Sequence, residues 1–348
     1  MIKVGIVGST GYAGVELLRL LLQHPEVEVK EIVSHSFEDE NISDIYANFN
    51  ENCDLICSNL TEFMKIGIKK CDLVFAALPH GLSEDIAFEC DKHGIVFIDI
   101  GADFRLEDEK SFEKWYGLSY KHKALHNKSQ YGLPELYRNE IKQAKIIASP
   151  GCYPTSIILA LAPALRNKLI KPTSIIIDAK SGLTGAGREL SSTSHYIDCN
   201  ESMKAYKIGC HRHTPEIEQE LSRAAKEDIV INFTPHLLPI NRGILSTIYC
   251  ELDGSITLEE LVDLYKIFYA AEKFVRVLDI GKSAEIRNVR GSNYCDISIN
   301  IDARTNRVII NSTIDNMVKG AAGQAIQNMN LIFGLKEDLG LCYIPMVF

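Results

Sequence analysis

The sequence predicts an α/β protein in two parts: a parallel sheet flanked by helices, then an α+β part built on a mostly antiparallel sheet. Three observations carry this. In roughly the first 150 residues, short apolar runs alternate with stretches whose apolar residues recur at helical spacing, the pattern of βαβ units. Beyond that point, strand-like runs with period-2 patterning follow one another with few helices between them, which favours antiparallel pairing. The length, 348 residues, suits two domains with a core of ample size.

The elements read in order as follows. "IKVGIVGS" is a strand of buried type and "GVELLRLLLQHP" a helix that stops at Pro25, before the strand "VEVKEIVS". "CDLVFAALPH" and "GIVFIDIGADF" are strands separated by the helix pattern "GLSEDIAFECDKH", and "AKIIASPG" is a further strand. The helix "PTSIILALAPALRNKL" and the strand "PTSIIIDAKSG" open the second part. Its remaining strands are "DIVINFTPHLLP", "GILSTIYCEL", "FVRVLDIG", "CDISINIDA" and "RVIINSTID". The last helix, "NMVKGAAGQAIQNMNLIFG", is rich in small residues and is expected to return to the first part. The expected domains are 1–150 completed by 316–348, and 151–315.

Composition narrows the function. The 46% hydrophobic and 24% charged residues are ordinary for a globular protein. A formal net charge of −9 argues against a general nucleic-acid or anionic-membrane surface, though not against a local basic pocket. No apolar run approaches the roughly 18 residues of a spanning helix, and the glycine-rich N-terminus does not read as a signal peptide. The ten cysteines show no C-x-x-C spacing and read as reduced thiols, so a cytoplasmic location is expected.

The N-terminal "GIVGSTGYAG" places Gly5, Gly8, Gly11 and Gly14 between a strand and a helix. Such a turn lets backbone amides approach a pyrophosphate at the helix N-terminus, the arrangement of a Rossmann-type dinucleotide domain. Gly8, Ser9, Thr10, Gly11, Tyr12 and Ala13 are therefore cofactor candidates. The second strand ends on Ser34, His35 and Ser36, without the carboxylate that holds a ribose 2′-hydroxyl in NAD binders. The hydroxyls of Ser34 and Ser36 and the imidazole of His35 suit a 2′-phosphate better, which favours NADP, while Glu38 and Asp39 close by are carboxylates that keep NAD as the alternative.

"SPGCYPTS" sets Cys152 after a strand and at the start of a helix, with Pro154 suited to the first helical position. Unpaired amides and the positive end of the helix dipole lower a thiol's pKa and offer oxyanion donors. A thiolate needs a proton partner, and "CHRHTPEIEQEL" supplies His211 and His213. Thr214 suits the N-cap, Pro215 the first helical position and Glu216 the first turn, so the histidines are expected in an extended segment, facing one side at i and i+2. A metal site ranks below acid/base chemistry, because Cys210 would face the other way and no second ligand pair appears. Basic residues that can take carboxylate or phosphate oxygens are Arg105 in "GADFRL", Lys180 and Arg188 in "DAKSGLTGAGREL", and His236 and Arg242 in "PHLLPINRGI". Dinucleotide turn, cysteine and histidine together imply a thioester reduced by nicotinamide hydride.

With "VGIVGSTGYAGVEL", "AALPHGLS", "FIDIGADFRL", "YGLPELYR", "SPGCYPTS", "DAKSGLTGAGR", "HRHTPEIEQ", "FTPHLLPINRGI" and "IDNMVKGAAGQAIQNMNL" in this order, the chain resembles the N-acetyl-gamma-glutamyl-phosphate reductase family over nearly its whole length. The resemblance implies NADPH-dependent reduction of an acyl phosphate to a semialdehyde in arginine biosynthesis, by a cytoplasmic homo-oligomer, a dimer or tetramer. It implies Cys152 as nucleophile and the histidines as a unit, with His213 preferred as acid/base. Pro79, Gly182 and Asn316 join the cofactor candidates, and Ser149 and Arg212 the substrate candidates. The enzymatic alternatives are aspartate-semialdehyde dehydrogenase, which "HRHTPEIEQ" argues against, and a lysine-pathway reductase of carrier-bound aminoadipyl phosphate. An NADP-binding regulator would have no reason to keep Cys152 and the histidines together.

Overall fold

The computed structural model describes residues 1–189 and 194–347. The chain divides into two units, one of Met1–Pro150 with Ala321–Cys342, the other of Gly151–Gly320 with the residues from Tyr343. Residues 316–320 and 343–347 thus group with the second unit, and the returning segment is shorter than 316–348.

In the first unit the strands are β1 (Ile2–Val7), β2 (Val27–Val33), β3 (Cys57–Ser58), β4 (Leu73–Ala76), β5 (Val96–Asp99), β6 (Ser129–Tyr131) and β7 (Ile146–Ala148). They form one sheet in the order β3-β2-β1-β4-β5-β7-β6. Every pairing is parallel. The short strands β3 and β6 lie at its edges and carry too few residues to show a period. Strand order reverses between β1 and β4, and in open α/β sheets ligands bind at that switch point, beyond the carboxyl ends of the strands.

The principal helices of this unit are α1 (Tyr12–Leu21), α2 (Glu84–His93), α3 (Pro134–Ile141) and, from the returning segment, a helix at Gly323–Ile332. The last one buries Gln324, Gln327, Asn328 and Asn330. Buried amides need partners, and the four nitrogens have them, while Gln324 Oε1 and Asn328 Oδ1 have none among the described residues. Gln324 Nε2 and Asn328 Nδ2 both donate to the Gly132 carbonyl at 2.9 Å. Asn330 Oδ1 meets His24 Nε2 at 3.0 Å. A Cβ on Gly132 would stand 2.5 Å from both Asn328 Nδ2 and Ile147 Cγ2, so these side chains would have to shift to admit one.

The second unit holds β8 (Ile176–Ser181), β9 (Lys204–Ala205), β10 (Asn232–Leu237), β11 (Ile244–Glu251), β12 (Val275–Val277), β13 (Cys295–Asp302) and β14 (Arg307–Ile314). Their order is β12-β13-β14-β11-β8-β10-β9. Pairing is antiparallel except for β12 with β13 and β8 with β10. The sheet is thus mixed but mostly antiparallel. Against it pack α4 (Cys152–Arg166), α5 (Thr214–Ala225) and α6 (Leu258–Phe268); the helix at Gly323–Ile332 is α7.

Helix α4 is apolar all round and almost wholly buried, as a central core helix should be. It contains Pro163, which has no N–H to give to the Leu159 carbonyl. The Tyr269 hydroxyl supplies the missing donor at 2.5 Å, and the Tyr265 hydroxyl donates to the Ala160 carbonyl at 2.7 Å. Tyr269→Phe therefore leaves a buried carbonyl unserved. We expect a loss of about 1–3 kcal/mol in urea unfolding at unchanged m-value; a loss near zero would mean that Leu159 does not need this donor. Among the described residues no helix is long and apolar enough to cross a membrane.

Candidate active site

The glycine turn follows β1 at the switch point of the first sheet. Gly8 has φ +86°, a conformation that disfavours side chains, and a Cβ there would come 2.4 Å from the Ala77 carbonyl oxygen. Gly14 serves close packing of α1 on the turn, since its Cβ would meet the Gly8 carbonyl oxygen at 2.1 Å. Gly11 is the N-cap of α1, and the helix's first turn carries no acidic side chain. An anionic pyrophosphate thus meets amides and dipole without opposing charge, so the turn fits a dinucleotide.

Behind the turn the side chains act as struts. Ser9 Oγ donates to the Val33 carbonyl at 3.1 Å, Thr10 Oγ1 and Ser34 Oγ share a hydrogen bond of 2.8 Å, and the Tyr46 hydroxyl donates to the Thr10 carbonyl at 2.8 Å. Ser34 is only 2% exposed and tied to Thr10, so it supports the turn. His35 and Ser36 are exposed beyond it, as are Tyr12 and, after β4, Pro79; Ala13 is partly exposed.

Cys152 is itself the first residue of α4, half-exposed, with Gly151 as N-cap. Pro154 is therefore third, not first, in the helix. Among the first-turn amides, those of Cys152 and Tyr153 have no intrahelical carbonyl to serve them. The preceding amide, Gly151 N–H, donates to Glu216 Oε1 at 2.8 Å. Glu216 is 0% exposed. The expectation that it serves the dipole of its own helix is thus incomplete: it also holds the N-cap of α4.

The histidines do not lie in an extended strand. Residues 212–213 form a turn, and the helix starts at Thr214, so His213 takes the N-cap place expected of Thr214, with Pro215 second. The turn itself is what joins the rings. The His213 N–H donates to His211 Nδ1 at 3.1 Å, and the rings lie 4.9 Å apart. His211 Nε2 meets the Tyr206 hydroxyl at 3.4 Å, and Tyr206 reaches the Tyr153 hydroxyl at 3.3 Å. Burial, then the charges of Lys207 and Arg212, push the His211 imidazole down to about 3. It is therefore neutral near pH 7, with the ring proton on Nε2 as its hydrogen bonds require.

The remaining candidates fall in several places. Arg105, 7% exposed, donates to the carbonyls of Ser149 (2.9 Å) and Ile100 (2.8 Å). Ser149 is fully buried, and its hydroxyl has no hydrogen-bond partner among the described residues. Lys180 pairs with Asp178 at 2.9 Å. Both side chains lie on the sheet face opposite to Ala179 and Ser181, and α4 packs on the latter face through Ser156 and Ser246. The structure thus does not bring Lys180 to Cys152. Arg188 is exposed and Arg212 half-buried. His236 Nδ1 lies 3.1 Å from Asp178 Oδ1, and Arg242 lies 3.6 Å from Asp315 Oδ2. Gly182 packs on the main chain of Asn241, whose oxygen a Cβ would meet at 2.6 Å. Asn316 accepts from Gly243 N–H at 2.7 Å and donates to Thr184 Oγ1 at 3.0 Å.

Some members escaped the sequence reading. Asp99, at the end of β5, accepts from Ser83 Oγ, Gly101 N–H and Asp103 N–H. Asp103 accepts from the amides of Gly81 and Ser83. Together they hold the segment after β4 that carries Pro79. Burial and then the Asp103 charge raise the pKa of Asp99 above the usual carboxylate range. Two aspartates inside the apolar run "FIDIGADF" were the available signal. Glu216 and Tyr206 had none beyond neighbouring the histidines.

A parallel sheet with a glycine turn at its switch point in one unit, and in the other a cysteine heading a buried helix, are the features of a dinucleotide-dependent oxidoreductase. Two family models match accordingly: the semialdehyde dehydrogenase NAD binding domain over residues 3–144, and its dimerisation domain over residues 152–316. Among solved structures, aspartate semialdehyde dehydrogenase II from Vibrio cholerae is similar, with TM-score 0.72 at 18% identity, covering 96% of this chain and 99% of that one. The Candida albicans aspartate semialdehyde dehydrogenase with NADP gives TM-score 0.69 at 17% identity, covering 96% and 98%; these show the fold. The N-acetyl-gamma-glutamyl-phosphate reductases of Brachyspira hyodysenteriae and Clostridium beijerinckii are 56% and 54% identical to it, over 100% of each chain. The chain belongs to the N-acetyl-gamma-glutamyl-phosphate reductase family.

Proposed function

We propose that the chain reduces N-acetyl-L-glutamyl 5-phosphate to N-acetyl-L-glutamate 5-semialdehyde and phosphate, a step of arginine biosynthesis, with Cys152 as nucleophile. The observation that carries the chemistry is Cys152 as first residue of a buried helix. There its sulfur lies at the positive end of the dipole, beside amides able to hold an oxyanion. The full-length identity to reductases of this name supports the substrate.

The Cys152 thiolate attacks the acyl carbon, and phosphate leaves with the bonding pair, giving a thioester. The cofactor is NADP, and its reduced form supplies the hydride. The resulting hemithioacetal collapses to the aldehyde and returns the thiolate. His213 handles the proton on the hemithioacetal oxygen; His211, neutral and bonded through both nitrogens, orients it. The turn Gly8, Ser9, Thr10, Gly11, Tyr12 and Ala13 takes the pyrophosphate, and Ser36 faces the 2′-phosphate. Arg105, Arg188 and Arg212 remain the candidates for substrate oxygens, while Asn316 acts by positioning main chain. The dimerisation-domain match, with the half-buried alternate residues of β11 and β14, supports a homo-oligomer, and we read the enzyme as cytoplasmic.

The reaction run backwards tests this. With NADP and phosphate, N-acetylglutamate semialdehyde should yield NADPH and aspartate semialdehyde should not, and Cys152→Ala should be inactive. Equal turnover of aspartate semialdehyde would overturn the substrate, full activity in Cys152→Ala the mechanism, and activity with NAD alone the cofactor.

A further inference from the structure

Cys152 is backed by main chain. A Cβ built on Gly320 would stand 2.7 Å from Cys152 Cβ, 3.2 Å from Cys152 Cα and 3.2 Å from Ile314 Cδ1. The nearest of these contacts is with atoms that cannot swing away, since they belong to the first residue of α4. Gly320 gets there by a wide turn. Its N–H donates to the Asp315 carbonyl at 3.0 Å, an i to i−5 bond, within the π-helical stretch Val318–Ala322.

That turn is anchored from below. Asp315 is fully buried. Its Oδ1 accepts from Met317 N–H (2.8 Å) and Val318 N–H (3.2 Å), and its Oδ2 from Gly291 N–H (2.7 Å), with Arg242 at 3.6 Å. The next residue, Asn316, is bound to Gly243 and Thr184. A wide turn is a costly choice over a regular helix unless something needs the backbone displaced. Here the displaced residue lies against the reactive cysteine.

We propose that Gly320 is a positioning residue for Cys152: its bare Cα, held by the Asp315-anchored turn, forms the wall that fixes the thiol at the helix N-terminus. The proposal rests on Cys152 being the nucleophile. A side chain at 320 must push Cys152 aside by a sizeable fraction of an ångström, and displacements on the order of 1 Å cost roughly 10²-fold in rate.

The test compares Gly320→Ala with wild type in kcat, KM, NADPH affinity and the pH dependence of iodoacetamide alkylation, read at Cys152 by peptide mass spectrometry. Expected are a fall in kcat of about 10²-fold, little change in KM or NADPH affinity, and a displaced alkylation profile. Ile314→Val added to Gly320→Ala removes the Cδ1 contact and should not restore the rate. Recovery in that double variant would place the clash at Ile314 and overturn the proposal. So would wild-type kcat and alkylation in Gly320→Ala. If Gly320→Ala does not fold, Asp315→Asn, which adds no volume, decides: an unchanged Cys152 profile and kcat overturn the proposal, and a shifted profile with lowered kcat supports it. An active Cys152→Ala would instead refute the nucleophile, whereas an inactive one beside an undisturbed Gly320→Ala refutes only the wall.

Discussion

His213→Gln is expected to lower kcat by about 10²–10⁴-fold, the usual contribution of a positioned proton donor or acceptor, and to remove one limb of the pH–rate profile. His211→Asn is expected to keep that limb. The difference follows from where each ring stands. His211 is buried, its Nδ1 accepts the His213 N–H, and its pKa lies at about 3. It does not titrate in the working range. Its contribution to stability is fully present above the ordinary imidazole value near 6.5 and is lost as pH falls from there toward 3. Asparagine can still accept the backbone N–H. Profiles recorded from about pH 5 to 9 on both variants check this, and loss of the limb in His211→Asn but not in His213→Gln would reverse the assignment.

Gly8→Ala should nearly abolish NADPH binding and lower the melting temperature. Two costs coincide there: φ of +86°, and a Cβ 2.4 Å from the Ala77 carbonyl oxygen. Backbone of that kind costs about 1–3 kcal/mol for a residue other than glycine, before any shift of the turn that receives the pyrophosphate. A Kd raised by roughly two orders of magnitude, equivalent to about 2.7 kcal/mol, is expected by fluorescence titration. Gly11→Ala is the contrast. Its Cβ would meet only the Gly8 carbonyl oxygen, at an ordinary 3.5 Å, so the fold should hold while close approach of the ligand suffers. Equal affinities for Gly8→Ala and wild type would show that the turn does not carry the cofactor.

Much of this was legible because the signals were local. The glycine turn, the alternation of the first half and the period-2 runs of the second all reduce to neighbouring residues and their periods. What stayed hidden was the use made of a side chain by something distant. Arg105 reads as a cation for a substrate, and it also donates to the carbonyls of Ile100 and Ser149. Ser34 reads as a ligand for phosphate, yet it braces Thr10 across 24 residues. Glu216 reads as a first-turn acid, yet it holds the cap of a helix 65 residues earlier in the chain. The histidine pair reads as two rings on one extended face, yet a turn joins them.

Pro163 and Tyr269 carry a different kind of consequence. The proline withholds a donor from Leu159, and the tyrosine hydroxyl supplies it. Losing the hydroxyl strands a carbonyl in the core. A carbonyl oxygen has two lone pairs, so an N–H restored at 163 can share Leu159 with the hydroxyl. The order of change therefore matters: the proline can be replaced while the tyrosine stays, and the tyrosine only once an N–H has returned. The helix that presents Cys152 is in this way locked in sequence history to a residue just past the end of α6, far from any chemistry.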